Sequence, residues 1–351
     1  MLPFHLVICD DEEAIVHSLQ RQFRRLYPEC RISGFTSAEI LQHQLMNLQP
    51  DALIADLKLQ DGDGRELLQQ MATLHPHSIR VLMSGISEQA PLLDALQYCH
   101  RILIKPFNQS DLESIYDCLQ HLSSLQLEHS ERRLLGQLTG LPNRPEIMLS
   151  ITRALAEETP DLQTIADKIL EDPALLTRIL TWANSPIFGF QSSTEDLKTA
   201  LMRLGLDTLN HLIMMLSVRQ QLMAYNHPVA NQLIEEAQAL AHHSSQMCSE
   251  MALSPRQRNQ VIIAALLHNL GKQIRLLEYL HTDQTAPLNP EFLSQRHVHL
   301  GAGLLLLWDM DQEIAEAILR QYQDPQETKT FHPAYLLQRV HQKISHQEVC
   351  L

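Results

Sequence analysis

Five short apolar runs fall within the first 105 positions: HLVIC (5–9), RISGF (31–35), ALIAD (52–56), IRVLMS (79–84) and RILIK (101–105). Runs this short and this continuous suit strands buried on both faces, as in a parallel sheet. The segments between them, EEAIVHSLQRQFRRL, AEILQHQLMNL, GRELLQQMATL and the stretch after Ser87, place apolar residues at helical spacing instead. Repeated strand–helix alternation predicts a doubly wound α/β domain with a five-stranded parallel sheet. Its ligand site is expected beyond the carboxyl ends of the central strands.

After about residue 121 strand-like runs stop and helix signals follow one another. Asp172-Pro173 reads as an N-cap followed by proline at the first helical position. Ser192 with Glu195 reads as a capping box, and Gly205 as a helix C-cap. Helices are expected over 229–252, 256–280, 290–308, 311–323 and 333–346, and the polar stretch 108–135 as one helix running into a connector. The 351 residues therefore divide into a domain over 1–121, a connector over 122–135 and an all-α domain over 136–345.

Charge and cysteine usage narrow the function classes. The net charge is −14, and residues 1–121 alone hold 9 basic against 16 acidic residues. Neither half is a basic surface, so direct nucleic-acid binding lacks its usual driving force. The six cysteines are scattered without a C-x-x-C pair, which argues against a disulfide framework or a zinc knuckle and for a reducing compartment. With no long apolar stretch and no signal-peptide pattern, membrane insertion is not expected and a cytoplasmic location is.

In a sheet ordered 2-1-3-4-5, Asp10 and Asp11 after the first strand meet Asp56 at the end of the third. Three converging carboxylates repel unless a cation neutralises them, and a hard divalent ion with oxygen ligands, Mg²⁺, fits. Ser84 and Lys105 end the fourth and fifth strands at the same edge, where a hydroxyl and an ammonium suit a carboxylate that accepts a phosphoryl group.

These residues, with ICDDEE, ALIADLKLQDGDG, VLMSG and LIKPF in order, resemble the receiver domain of bacterial two-component response regulators, a flavodoxin-like fold. The resemblance implies that Asp56 is the phosphoacceptor and a sensor histidine kinase the donor. Asp11 and Asp56 would ligate Mg²⁺ directly, Asp10 mainly through water, and Lys58 through its backbone carbonyl. Ser84 would contact the phosphoryl oxygens and Lys105 would pair with the charge. Two positions depart from the pattern: Gln60 replaces the usual proline of the following loop, and Ile102 replaces the often aromatic switch residue.

The second half contains AALLHNLGK (264–272), shaped like the start of a metal phosphohydrolase site but with Asn269 where a carboxylate would ligate metal. Candidate remnants of such an HD site are His243, His268, Asn269 and His297 or His299; the last expected helix has no aspartate. LTGLPNR (138–144) resembles the entry to diguanylate cyclases, yet no Gly-Gly pair follows it.

Together, LPNRPEI, LEDPALLTRILTWANSPIFG (170–189), LKTALMRLGLDTLNHLI, AALLHNLGK and HVHLGAGLLLLWDMDQEIAEAIL (297–319) resemble the HDOD domain, a helical relative of HD hydrolases. That resemblance implies a non-catalytic output module that binds a signalling protein and needs no cofactor; pairing of two copies is an expectation for the receiver. The contrasting expectations are a metal-dependent phosphohydrolase of cyclic or other nucleotides, and a nucleotide sensor without turnover.

Overall fold

The fold was taken from a computed structural model, which describes residues 3–85, 98–138, 151, 154, 160–185, 188, 194–251, 253–282, 287–324 and 331–349. Two compact units divide the chain: Met1–Pro142 with Leu306–Asp309, and Asn143–Leu305 with Met310–Leu351.

The first unit is built on a five-stranded parallel sheet. Its strands are β1 (His5–Cys9), β2 (Arg31–Phe35), β3 (Ala52–Asp56), β6 (Ile79–Gly85) and β7 (Arg101–Lys105), in the order β2-β1-β3-β6-β7. This is the expected doubly wound order, with a small antiparallel pair, β4 (Lys58–Leu59) and β5 (Gly62–Asp63), inserted after the third strand. All five residues of β1 and of β3 are buried, which is why both strands read as continuous apolar runs.

Helix α1 (Glu13–Leu26) buries Val16, Leu19 and Phe23, three positions on one stripe. Each such side chain contributes about 1.5–3 kcal/mol through burial. Helices α2 (Ala38–Leu45) and α3 (Gly64–Leu74) follow, capped by the side chains of Ser37 and Asp63. The apolar stretch after Ser87 lies outside the described residues.

The expected single helix over 108–135 is two helices, α4 (Gln109–Ser124) and α5 (His129–Gln137). Gln126 breaks it by adopting a left-handed φ of 48°. Non-glycine residues seldom take that conformation, so nothing in the composition announced the break. Helix α5 then packs on the strand-entry end of its own unit. The fully buried Arg80 guanidinium donates from Nη2 to the carbonyl of Gly136 (2.6 Å) and from Nε to that of Tyr98 (2.7 Å). A Cβ at Gly136 would stand 1.4 Å from the carbonyl oxygen of Pro76, so only glycine allows this approach. A cation on a helix's last carbonyls also opposes its dipole.

The second unit is helical: α6 (Leu162–Leu170), α7 (Pro173–Ala183), α8 (Leu197–Leu204), α9 (Leu206–Ala224), α10 (Pro228–Ser249), α11 (Pro255–Leu267), α12 (Leu270–His281), α13 (Pro290–Ser294), α14 (His297–Leu307), α15 (Gln312–Arg320) and α16 (Pro333–Val349). Gly205, at φ 79°, separates α8 from α9, and Asp172 caps α7 through the amide of Leu175. Asp196, rather than Ser192, caps α8; Ser192 lies outside the described residues, as does all of LPNRPEI.

Two long helices expected from periodicity are interrupted. The 256–280 stretch breaks at His268-Asn269, and the 290–308 stretch breaks at Gln295-Arg296, where Arg296 takes a φ of 47°. Part of the core lies where Cys248, Val261 and Leu336 meet, with Phe331 and Tyr335 packed against them.

Candidate functional site

The sheet register brings the acidic residues of the first unit to one edge. Cys9 is level with Ala55, Asp56 with Met83, Ser84 with Ile104 and Gly85 with Lys105. Asp10, Asp56, Ser84 and Lys105 therefore leave adjacent parallel strands at nearly the same height. Lys105 Nζ lies 2.7 Å from Asp10 Oδ2 and 2.6 Å from Asp56 Oδ1, so one ammonium bridges two buried carboxylates. The remaining oxygens accept backbone amides: Glu12 N–H on Asp10 Oδ1 (2.9 Å) and Lys58 N–H on Asp56 Oδ2 (3.2 Å).

Burial pushes the Asp56 carboxyl above its ordinary range, against the hydrogen bond and charge of Lys105, which pull it down. Burial also depresses the Lys105 ammonium, but its bonds to Asp10 and Asp56 outweigh this and raise it. A positive charge is thus held firmly beside a carboxylate that would otherwise resist ionisation.

Two local features position Asp56. A Cβ on Gly64 would stand 1.9 Å from the Asp56 carbonyl oxygen, so glycine permits α3 to start against the strand end. Asp61 anchors the β4–β5 turn by accepting from Ser37 Oγ (2.5 Å) and the Ala38 amide (2.9 Å). Neither Gly64 nor Asp61 was among the residues singled out from sequence; the DGDG run after ALIAD was the available signal. Asp11 is half-buried at the same mouth, Gln60 is exposed, and Ile102 is half-buried in β7.

The second unit assembles a different site. His268 is buried, and its Nδ1 lies 2.8 Å from the carbonyl of Ala265. The bond requires an Nδ1 proton, leaving Nε2 bare in the neutral ring. His297 is held the same way by the Ser294 carbonyl (2.8 Å), with Nε2 3.3 Å from the Tyr322 hydroxyl. His341 Nε2 lies 3.1 Å from Gln321 Oε1, an acceptor, so that nitrogen carries the proton. The rings of His268 and His341, and of Tyr322 and His341, are 5.6 and 5.0 Å apart.

Burial lowers all three imidazoles, His268 to about 3 and His341 to about 4, with the neighbouring charge of Lys272 acting in the same direction. Gly271 makes this assembly possible. A Cβ there would stand 1.7 Å from the His297 carbonyl oxygen, so the glycine of HNLGK lets α14 reach α12.

Asn269 is fully buried, donating from Nδ2 to the carbonyl of Leu233 (2.6 Å) and accepting from Gln273 Nε2 (2.9 Å). An aspartate could not make the first bond. Gln321, also fully buried, donates to the His268 carbonyl (2.9 Å).

Of the expected remnants, the structure gathers His268 and His297 but not His243, which bonds the Ala239 carbonyl of its own helix and packs edge-on against His242. His299 is half-buried two residues further along α14, and its charge adds to the lowering of the His297 pKa. Sequence reasoning missed His341, Tyr322 and Gln321. A signal existed for His341: it lies four residues after Leu337 and next to Val340, both buried. Among the described residues no group of three or more His, Cys, Asp or Glu side chains is arranged to hold a metal ion.

Comparison with known proteins agrees with these two architectures. The HDOD domain model matches residues 141–324, and the response regulator receiver domain model matches residues 6–117. The chain belongs to the HDOD domain family and carries a receiver domain ahead of that module.

An uncharacterized protein of Treponema pallidum is 23% identical over 217 residues, covering 57% of this chain and 41% of that protein. The regulatory protein AtoC of Escherichia coli is 25% identical over 126 residues, covering 35% of this chain and 26% of AtoC. The chain thus spans less than half the length of these curated relatives. A solved metal-dependent phosphohydrolase candidate from Shewanella amazonensis is 18% identical, with a TM-score of 0.49, covering 66% of this chain and 84% of that one. A receiver followed by an HDOD domain, a degenerate relative of HD domains, is the organisation of a response-regulator-like signalling protein. No helix among the described residues is long and apolar enough to cross a membrane.

Proposed function

We propose that this chain is a response regulator whose Asp56 accepts a phosphoryl group from a sensor histidine kinase in the cytoplasm. The observation that carries this reading is the Lys105 ammonium bridging Asp10 and Asp56 at the ends of parallel strands. Receiver domains generally bind Mg²⁺, and this donor set suits a hard cation: the two buried carboxylates already converge on one positive charge. Asp10, Asp11, Asp56 and the Lys58 carbonyl would hold it, and when bound it would neutralise charge on the phosphoryl oxygens. Ser84 would bond those oxygens and Lys105 would pair with them. The domains would run over 1–121 and 136–345.

The output is proposed to be binding of a signalling protein rather than turnover, with pairing of two copies as a further mode. Support comes from Asn269, whose amide ties helices together where an HD hydrolase uses a carboxylate. The test is labelling of the full chain with acetyl phosphate and Mg²⁺, read by intact mass. One phosphoryl adduct is expected, and none in Asp56→Asn; an undiminished adduct in the variant overturns the acceptor. For the output, the full chain incubated with Mn²⁺ and cyclic dinucleotides should show no hydrolysis. Turnover lost in His268→Ala, together with stoichiometric bound metal, would overturn the binding role.

A further inference from the structure

The TWANS segment (181–185), singled out in sequence for its family resemblance, has no part in either site described above. In the structure it walls a cavity of about 260 Å³ inside the second unit. Trp182, Phe188, Met215, Ile234 and Leu266 give that cavity an apolar body. Asn184 fixes the wall: its Nδ2 donates to the Thr194 carbonyl (2.9 Å) and its Oδ1 accepts the Thr194 amide (2.7 Å). At about 30 Å³ for each water-sized group, the cavity holds roughly nine heavy atoms.

Among the described residues one charged group lines this space, the half-buried guanidinium of Arg219. Among the described residues Arg219 makes neither a hydrogen bond nor an ion pair, and the charge felt there is a second cation, Arg178, which with burial lowers the Arg219 pKa. Half-buried in an apolar wall beside a like charge, this planar five-donor cation faces no protein anion among the described residues. A ligand carboxylate would supply it with paired hydrogen bonds.

We propose that this cavity binds a small amphipathic monoanion, an unbranched carboxylate of roughly eight carbons in all, with Arg219 taking the carboxylate and the Trp182–Phe188 wall taking the chain. The site would give the helical domain an input of its own, independent of Asp56. It also adjoins the HNLGK segment, since Gln273 lines the cavity and bonds Asn269 (2.9 Å).

The probe is octanoate, titrated into the full chain by calorimetry and thermal shift, with octanol and octyltrimethylammonium as comparators. Saturable binding of one octanoate per chain is expected, with a raised unfolding temperature. Octanol should bind at least about tenfold more weakly, and octyltrimethylammonium more weakly still. Arg219→Gln should lose at least about tenfold in octanoate affinity, with Arg219→Lys recovering part of it. Ala237→Trp, filling the cavity with the helical circular dichroism retained, should abolish binding. Asp56→Asn should bind octanoate as the parent does, which separates this site from the receiver reading. Octanol binding as tightly as octanoate, unchanged affinity in Arg219→Gln, or no saturable binding up to about 10 mM octanoate would each overturn the proposal.

Discussion

The two sites of this chain solve opposite electrostatic problems. In the receiver, one lysine ammonium bridges two buried carboxylates at the strand ends. In the helical unit, three imidazoles surround a comparable position with their protons assigned to carbonyl and amide acceptors, and amides stand beside them. Lys272 acts on all three rings, as Lys105 acts on the carboxylates, but from beside neutral groups. A site of the first kind does work when a new anion arrives. In a site of the second kind the ring protons of His268, His297 and His341 already have acceptors within the fold.

The largest effect should come from forcing charge into the neutral site. Asn269→Asp removes the donor to the Leu233 carbonyl and sets a carboxylate against that oxygen in a fully buried position. The expected loss is about 3 kcal/mol in the stability of this region. Hydrogen exchange of the α10, α11 and α12 amides in the full chain would read it as faster local opening. Unchanged exchange, or a gain of stoichiometric Mn²⁺ with retained protection, would mean that the position tolerates a metal-ligating acid after all.

The second effect is acid lability of the same cluster. His268 and His341 have folded-state pKa values of about 3 and about 4, below the ordinary 6.5. The unfolded chain therefore binds more protons than the native one between these limits. The stabilisation is complete above pH 6.5 and is lost as pH falls toward the folded values. The slope approaches about 1.4 kcal/mol per pH unit for each histidine. Denaturant unfolding followed at pH 7 and pH 5 should show this loss, and His341→Gln should reduce it. Equal pH dependence in parent and variant would place His341 in contact with water rather than in the cluster.

Much of the receiver was legible because its information is local. Each strand of the five-stranded sheet is a five- to seven-residue run, and Asp10, Asp56, Ser84 and Lys105 each sit within a residue of a strand end, so order along the chain fixes place in space. The helical site is assembled across distance, and there the reading thinned. His341 and Gln321 meet His268 from far along the chain, and only tertiary packing joins them. The breaks at Gln126 and Arg296 escaped for a different reason: both take left-handed backbone without glycine. In sequence Asn269 reads as the loss of a metal-ligating charge; its gain, a donor to Leu233, is visible only once α10 lies against it.

The smallest effect should appear on neutralising the charged site, and it has the opposite sign. Burial raises the Asp56 pKa even with Lys105 at 2.6 Å, so the native protein holds the proton of this group more tightly than the unfolded chain does. Any stability this confers is present below the ordinary carboxyl value of 3.8 and lost as pH rises through the folded value, which makes the ionised group a net cost at pH 7. Asp56→Asn removes that cost while Asp10 keeps its bond to Lys105 (2.7 Å). A gain of about 1 kcal/mol is expected at pH 7, vanishing under acid. Denaturant titration without divalent ions would measure it. Adding Mg²⁺ should stabilise the parent more than the variant and so close the gap. If Asp56→Asn instead destabilised the protein at pH 7, the Lys105–Asp56 pair would be a fastening like that of Asn269, and the contrast between a poised site and a packed one would fail.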